Sequence, residues 1–519
     1  MLGHRDRQSS LLSAKTQLGE KSVSRMGVYS RLSDESFRLF CDEDFGFAYN
    51  RETGRPSCPP SLLATARLLQ HYVGISDAEV VERCRYDLRW KVALDLDLAS
   101  TRAPFSKSTF QLFRTRLTLH EQEGLVFERS VAKAREAGLL PKSLRVALDS
   151  SPVRGRGAVK DTYNLLSDAI VGVVHAVASS HASSPEETAR QAGLQRHLEA
   201  ASIKGSELVD WSDPGAVSSF LGDLIGDCEQ ALKLAETAAV TTPEVALLRK
   251  LLEQDIDPGD DESPPTIRRG VAKDRVVSVK DPEMRHGRKS SGSQYDGHKA
   301  HVAVDTESQV ITAVTTTAPG ESDGAQVKGL LEETLRTTGQ EISSALGDCA
   351  YSSRKALIQA EEIGVDLKTR MPSSSKVGLF GASDFEVSEA GRMARCPAGH
   401  KSQSQGKRKT QAGAGIQHRW AEALCSVCPL KEQCTKAKRR TLYVPPDFHE
   451  RRRREAHARS PQGLEELRLR IVVEHAIARL KNLGAGTARY VGRAKTRAQW
   501  LWCAAIANLT LTWSALEAR

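Results

Sequence analysis

The chain has 519 residues, with 74 Lys and Arg against 65 Asp and Glu and a net charge of +9. That length suggests two to four domains with room for a sizeable core, and the basic balance suits a polyanionic partner without establishing one. No stretch reaches the roughly 18 uncharged apolar residues of a membrane span and no compact apolar signal segment opens the chain. The ten cysteines are therefore expected as thiols or metal ligands in a reducing cytoplasm, not as disulfides.

Residues 1–30 are polar and expected to be disordered. From 31 to 140 the chain reads as an all-α domain, with "PPSLLATARLLQHYVGI", "SDAEVVERCRYDLRWKVALDL" and "SKSTFQLFRTRL" as helices. Ser76 and Ser106 stand where capping chemistry predicts helix starts. Arg and Lys on the polar faces fit a helix-turn-helix-like DNA reader as well as they fit a solvated helical domain. At 144–149 "LRVALD" is β-prone and ends in an acid. Helices are predicted again over 161–270, closed by the acidic turn "DPGDDESPP". Strand signals return in "DRVVSVKD", "GHKAHVAVD" and "QVITAVTTT", between 274 and 317. A helix over 323–338 leads to "SALGDCAYSS", strand then turn, and "IGVDLKTRMP" reads as one more strand. Residues 373–450 look irregular, Cys-rich and basic, and 451–519 returns to helix. The pattern predicts an α/β core with a mixed sheet over 141–519, interrupted by a helical insertion (161–270) and a Cys-rich insertion (373–450).

The helix "RIVVEHAIARLKNL" (470–483) has an unusual stripe. Arg470, Glu474 and Lys481 fall within about 40° of one another at helical spacing, on a strip bordered by Leu467, Ile477 and Ala478. Two further acids, Asp149 and Asp348, end predicted strands. Phosphodiester chemistry with two Mg²⁺ ions needs carboxylates of this kind brought together from distant positions. Taken singly, an Asp closing a strand is more often a turn or cap. Asp305, Asp323, Asp168 and Asp161 rank lower as ligands, with Asp305 first among them. His298 and His301 read as core or surface histidines before DNA or metal contacts.

The motifs "LDSSPVRGRGAVKDTYNLL", "YDGHKAHVAVDTESQVI", "LGDCAYSS" and R-x3-E-x6-K occur in that order. Together they resemble the DDE transposases of bacterial insertion sequences. The resemblance extends over about 35–512, taking in the helices after residue 55 and the Cys-rich stretch. It implies an RNase H-like catalytic core, with Asp149, Asp348 and Glu474 as catalytic ligands of two Mg²⁺ or Mn²⁺ ions. It also implies hydrolysis freeing a 3′-OH at each transposon end, followed by strand transfer into target DNA. Arg470 and Lys481 would hold DNA phosphates, and at least a dimer would join two ends. Many relatives carry Tyr where this chain has Leu467. A catalytically inactive, domesticated DNA-binding protein and an RNase H-like nuclease without strand transfer are the competing readings.

Cys396, Cys425, Cys428 and Cys434 lie in one Gly-, Lys- and Pro-rich stretch, where a structural Zn²⁺ bound by four thiolates would supply stabilisation that the few apolar residues cannot. His400 in "CPAGH" is a substitute ligand, and unligated thiols are the bland alternative. The basic runs at 407–409, 436–440 and 451–454 border this stretch and suit phosphate contact. Arg489, Arg493, Lys495 and Arg497 extend the cationic surface beyond Lys481, and Arg489 and Lys495 are expected at DNA.

Overall fold

Helices fill most of residues 28–136. In this computed structural model, which describes residues 1–6, 8–50, 54–259, 263–270, 272, 274–290, 292–371, 378–410 and 413–519, α1 (Pro60–Val73) is buried at every residue from Pro60 to His71. Its sequence is small or apolar on nearly every face, as an all-round buried helix requires. α2 (Leu125–Glu136) buries Val126, Phe127, Val131 and Ala134. Both pack on the last helix of the chain, Arg493–Glu517. Trp500, Trp502, Ile506 and Leu509 of that helix join them in one hydrophobic cluster that continues into the sheet. Packing runs unbroken across the boundary expected near residue 140.

Where disorder is expected over 1–30, the described residues carry two short helices, Ala14–Leu18 and Glu20–Val23. Ala14 and Val23 are buried against Val92, and backbone bonds run from Ala14 N–H to the Leu96 carbonyl and from Leu98 N–H to Leu12. A few apolar residues in a polar segment suffice to dock it.

The sheet has six strands. They are β1 (Ser143–Arg154), β2 (Arg285–Ser290), β3 (Ser293–Asp305), β4 (Ile311–Thr317), β5 (Glu341–Gly347) and β6 (Asp366–Thr369). β1 lies between β3, antiparallel, and β5, parallel, and β6 follows β5 in parallel. β2 and β4 share the outer edge of β3, each pairing a different half of it. "DRVVSVKD" is not a strand: its Val276 and Val277 are buried, but its backbone is tied to the Gln254 side chain and to Lys160 instead of to a ladder. "RHGRKS", too polar to signal a strand, is β2.

The helical stretch after β1 has its own core, built by α3 (Thr162–Ser180), α4 (Pro214–Thr237) and α5 (Pro243–Asp255). Among the described residues no single helix is long and apolar enough to cross a membrane; α3 with Pro185–Ala192 passes by length and composition only, as a pair bent by 114°. α6 (Val327–Thr338), α7 (Ile471–Asn482) and α8 (Arg493–Glu517) complete the core around the sheet. The Cys-rich stretch, expected to be irregular, contains a three-stranded antiparallel sheet of β7 (Ser404–Thr410), β8 (Gly413–Arg419) and β9 (Thr441–Val444). Phe385, Trp420, Leu442, Val444 and Phe448 form its small core. The acidic turn at 260–262 and the start of this stretch at 372–377 lie outside the described residues.

Candidate active site

β1 has Ser143 and Arg145 exposed at its start and then enters the core; Val146, Ala147 and Leu148 are fully buried. Asp149 does not close the strand as expected: β1 continues to Arg154 because its ladder with β3 runs on, with Asp149 opposite Val302, and Asp149 stands where the pairing with β5 has ended. In the parallel register Ala147 stands against Leu346 of β5, so Asp149 within β1 and Asp348 just past the end of β5 lie two residues further on, on neighbouring strands about 5 Å apart. Asp348 leaves the sheet in a tight turn, its carboxylate accepting from the Ala350 N–H at 2.8 Å. Gly347 is required just before it, since a Cβ there would lie 2.7 Å from the Cβ of Tyr351.

α7 supplies the third acid. Val473, Ala476, Ile477 and Leu480 are buried, leaving Glu474 and Lys481 on the open side. Arg470 precedes the helix and points both ways: one guanidinium nitrogen donates to Asp149 at 3.1 Å, the other to Glu474. The guanidinium is largely covered and Glu474 is half exposed. Burial pushes the Asp149 carboxyl above its ordinary range; the Ser150 N–H and Arg470 oppose this, and the negative charge of Asp348 adds to it. Lys481 is lowered from its usual value by partial burial and by Lys289 of β2, against the attraction of Asp149. Two lysines and an arginine thus flank the acids.

Three groups that sequence reasoning did not single out complete this end of the sheet. Ser150 donates from its hydroxyl to Asp323 at 3.1 Å, and Lys299 donates to Asp323 at 2.9 Å. The Tyr351 ring is fully buried and its hydroxyl has no hydrogen-bond partner. Burial raises its pKa far above the ordinary phenol, and the nearby charges of Asp323, Asp149 and Asp348 add to the effect. "GDCAY" contained the signal, since a Tyr one short turn after a candidate ligand is placed to fold back on it.

Of the remaining sequence candidates, Asp323 and His301 lie at this end of the sheet, 3.9 Å apart; the others lie elsewhere. Asp305 is buried and accepts from the Ser308 N–H and hydroxyl in a turn. Asp161 caps α3 and Asp168 pairs with Lys160. His298 pairs with Asp281, both fully buried, and His301 bonds the Thr317 hydroxyl at 2.9 Å. Arg489 donates to the Ile75 carbonyl, in the seam between α8 and the N-terminal helices. Arg493 pairs with Glu283 and Glu321, Arg497 faces Glu123, and Lys495 is exposed. Leu467 is 5% exposed and lines a pocket with Lys368, Arg454 and Glu466, an apolar position that suits Leu.

Among the described residues no three His, Cys, Asp or Glu side chains are gathered tightly enough to hold an ion as they stand. Between Asp149 and Glu474 the Arg470 guanidinium fills the gap. The donor chemistry nevertheless fits a hard divalent cation: carboxylate oxygens from β1, from the turn after β5 and from one helix, with the charge of Asp348 close enough to add to the upward push on Asp149.

Two family comparisons match. The family described as "Transposase DDE domain" covers residues 395–512, which include Arg470, Glu474, Lys481 and the four clustered cysteines; Asp149 and Asp348 lie outside that stretch. The family described as "Transposase domain (DUF772)" covers residues 24–116, the N-terminal helices. No curated protein and no solved structure matches the chain. The two transposase matches together support a DDE transposase of insertion-sequence type.

Proposed function

We propose that this transposase binds insertion-sequence ends, cleaves DNA there and transfers the freed strand to target DNA, with Asp149, Asp348 and Glu474 holding divalent metal. The carrying observation is the approach of Asp149 of β1 to Asp348 at the end of the adjacent β5, with Glu474 joined to Asp149 through Arg470. The strand order supports an RNase H-like core: β1 central, β3 and β4 antiparallel on one side, β5 and β6 parallel on the other. When bound, two Mg²⁺ or Mn²⁺ ions supply activation of the attacking oxygen and stabilisation of the leaving one.

The chain's own residues then have defined work. Lys481 and Lys289 present cationic heads beside the acids, where phosphate oxygens would lie. Arg470, with donors on both arms, is suited to bidentate phosphate contact once released from the carboxylates. The charge balance and the basic strand β7, with Lys407, Arg408 and Lys409, favour double-stranded DNA as partner. Joining two element ends calls for at least a homodimer, acting in the reducing cytoplasm.

The test is a labelled duplex carrying an element end, incubated with purified protein and Mg²⁺. A nick exposing a 3′-OH, abolished by Asp348→Ala, supports the reading. Binding without any cut by wild type points to a non-catalytic DNA-binding protein. Cutting without joining to target points to a nuclease.

A further inference from the structure

The four cysteines of residues 396–434 come from three separate backbone pieces, yet all line one cavity together with Trp420 and His400. Cys396 begins a tight turn: its N–H donates to the His400 carbonyl at 3.0 Å and its carbonyl accepts from Gly399 at 2.8 Å. Gly399 has φ +85°, which a residue with a Cβ adopts only under strain. Cys425 sits in the short helix Glu422–Ser426, Cys428 follows in the next turn, and Cys434 ends the helix Lys431–Cys434. None of the four is in a disulfide.

The surrounding bonds fix the backbone of the pieces around the cavity that the four cysteines line. The Trp420 indole N–H donates to the His400 carbonyl at 2.9 Å, tying β8 to the Cys396 turn. Arg440 donates to the Cys434 carbonyl at 2.9 Å and to Phe380 at 3.0 Å, tying the other arm. The Cys434 thiol is raised by burial; Arg440 opposes this, and the other three cysteines raise it further, so each of the three is near Cys434.

Around this cavity the folded core amounts to six buried apolar residues. That is little to order a stretch of nearly seventy residues with short helices and lysine-rich strands. Below about 40 to 70 residues per core, small folds generally need a disulfide or a metal.

We infer that Cys396, Cys425, Cys428 and Cys434 bind one Zn²⁺ ion as four thiolates, and that this ion secures the β7–β9 sheet with its basic strand. As the side chains stand, no three of them have closed to ion-binding distance. Ligation turns the thiols into the cavity they already line, drawing the sulfurs to about 3.8 Å from one another around a tetrahedral ion with Zn–S near 2.3 Å. Each thiol gives up its proton to solvent on binding, so the uptake is pH-dependent. Four sulfurs leave no open position, which makes the ion structural and separate from the acids at Asp149. The backbone carbonyl of His400 holds the Trp420 indole and the Cys396 N–H, and its imidazole is outside the ligand set we infer, which the His400→Ala variant tests.

The experiment uses the full chain purified without chelator. Elemental analysis should give one zinc per chain, and replacement by Co²⁺ should produce the intense near-ultraviolet thiolate-to-cobalt charge-transfer absorption. The double variant Cys425→Ser/Cys428→Ser should retain less than a tenth of the zinc. Cys349→Ser, an exposed cysteine outside the cluster, and His400→Ala should retain it. Wild-type protein with no zinc and no cobalt–thiolate absorption overturns the inference whatever the variants do. So does a His400→Ala variant that loses the metal while the double Cys variant keeps it. DNA cleavage plays no part in these readings, so a failure here leaves the transposase reading standing.

Discussion

Arg470 and Asp149 are 321 positions apart in sequence and meet in a salt bridge of 3.1 Å, while the other arm of the same guanidinium holds Glu474. One cation therefore joins an acid of the central strand to an acid on α7. A guanidinium between two carboxylates occupies the electrostatic role that a divalent ion would take, so the two compete.

The competition gives a signed prediction for Arg470→Ala. Without the guanidinium, Asp149, Asp348 and Glu474 repel one another more strongly, and divalent ions should bind tighter. Mn²⁺ affinity, followed by electron paramagnetic resonance, is expected to rise several-fold. DNA cleavage at saturating metal is expected to fall about 100-fold, the usual scale for losing a charged group at a phosphoryl site. Unchanged or weaker Mn²⁺ binding would show that Arg470 merely steadies the ligands.

The seam between the N-terminal helices and the sheet yields a second prediction. Trp500 is fully buried in the cluster that α1, α2 and α8 share with the sheet. Trp500→Ala should cost about 3–5 kcal/mol, enough to consume much of a typical domain's stability. Deleting residues 1–140 should leave a catalytic portion that is insoluble, because α8 would expose Trp502, Ile506 and Leu509. A soluble, cooperatively melting truncation would refute the shared core.

That seam also marks where sequence reading stops. β1, β3, β4, β5 and β6 were legible as short apolar runs bounded by turn residues, and α7 as a periodic stripe. Asp149, Asp348 and Glu474 were legible because each acid interrupts or ends an apolar pattern that has no local use for it. The sharing of one core by residues 29–134 and 493–517 was not, since periodicity shows that a face is buried and never against what. β2 was missed for a related reason: an edge strand of "RHGRKS" is set by its pairing with β3, not by its own pattern. Ser150 and Lys299 became visible only when the sheet register placed them near the acids.

His301 carries the pH prediction. Its ring is fully buried, and burial pushes its pKa down to about 4; Asp323 opposes the shift and Lys299 adds to it. A histidine with a folded pKa below its unfolded value stabilises the fold above pH 6.5 and loses that contribution as pH falls towards 4. Wild type should therefore lose thermal stability between pH 6.5 and 4. His301→Gln, which can still bond Thr317, should lose less over the same window. Parallel melting curves for the two proteins across that range would mean that other groups govern acid unfolding.

Lys481 and Arg489 were both expected at DNA, and the structure separates them. Lys481 stands on the open side of α7 within the field of Asp149 and Lys289, so its charge is available to a phosphate. The Arg489 guanidinium is bound to the Ile75 carbonyl and its backbone N–H to Gln499, so its charge serves the seam. Lys481→Ala should weaken DNA binding uniformly across sequences and reduce the slope of log K against log salt by about 0.9, the value for one phosphate contact. Arg489→Ala should leave that slope unchanged and lower the melting temperature instead. Fluorescence anisotropy titrations from 50 to 200 mM salt, paired with thermal melts, distinguish the two. A salt slope that falls for Arg489→Ala and not for Lys481→Ala would place the DNA on the far side of α8 and overturn the arrangement of cations around Asp149.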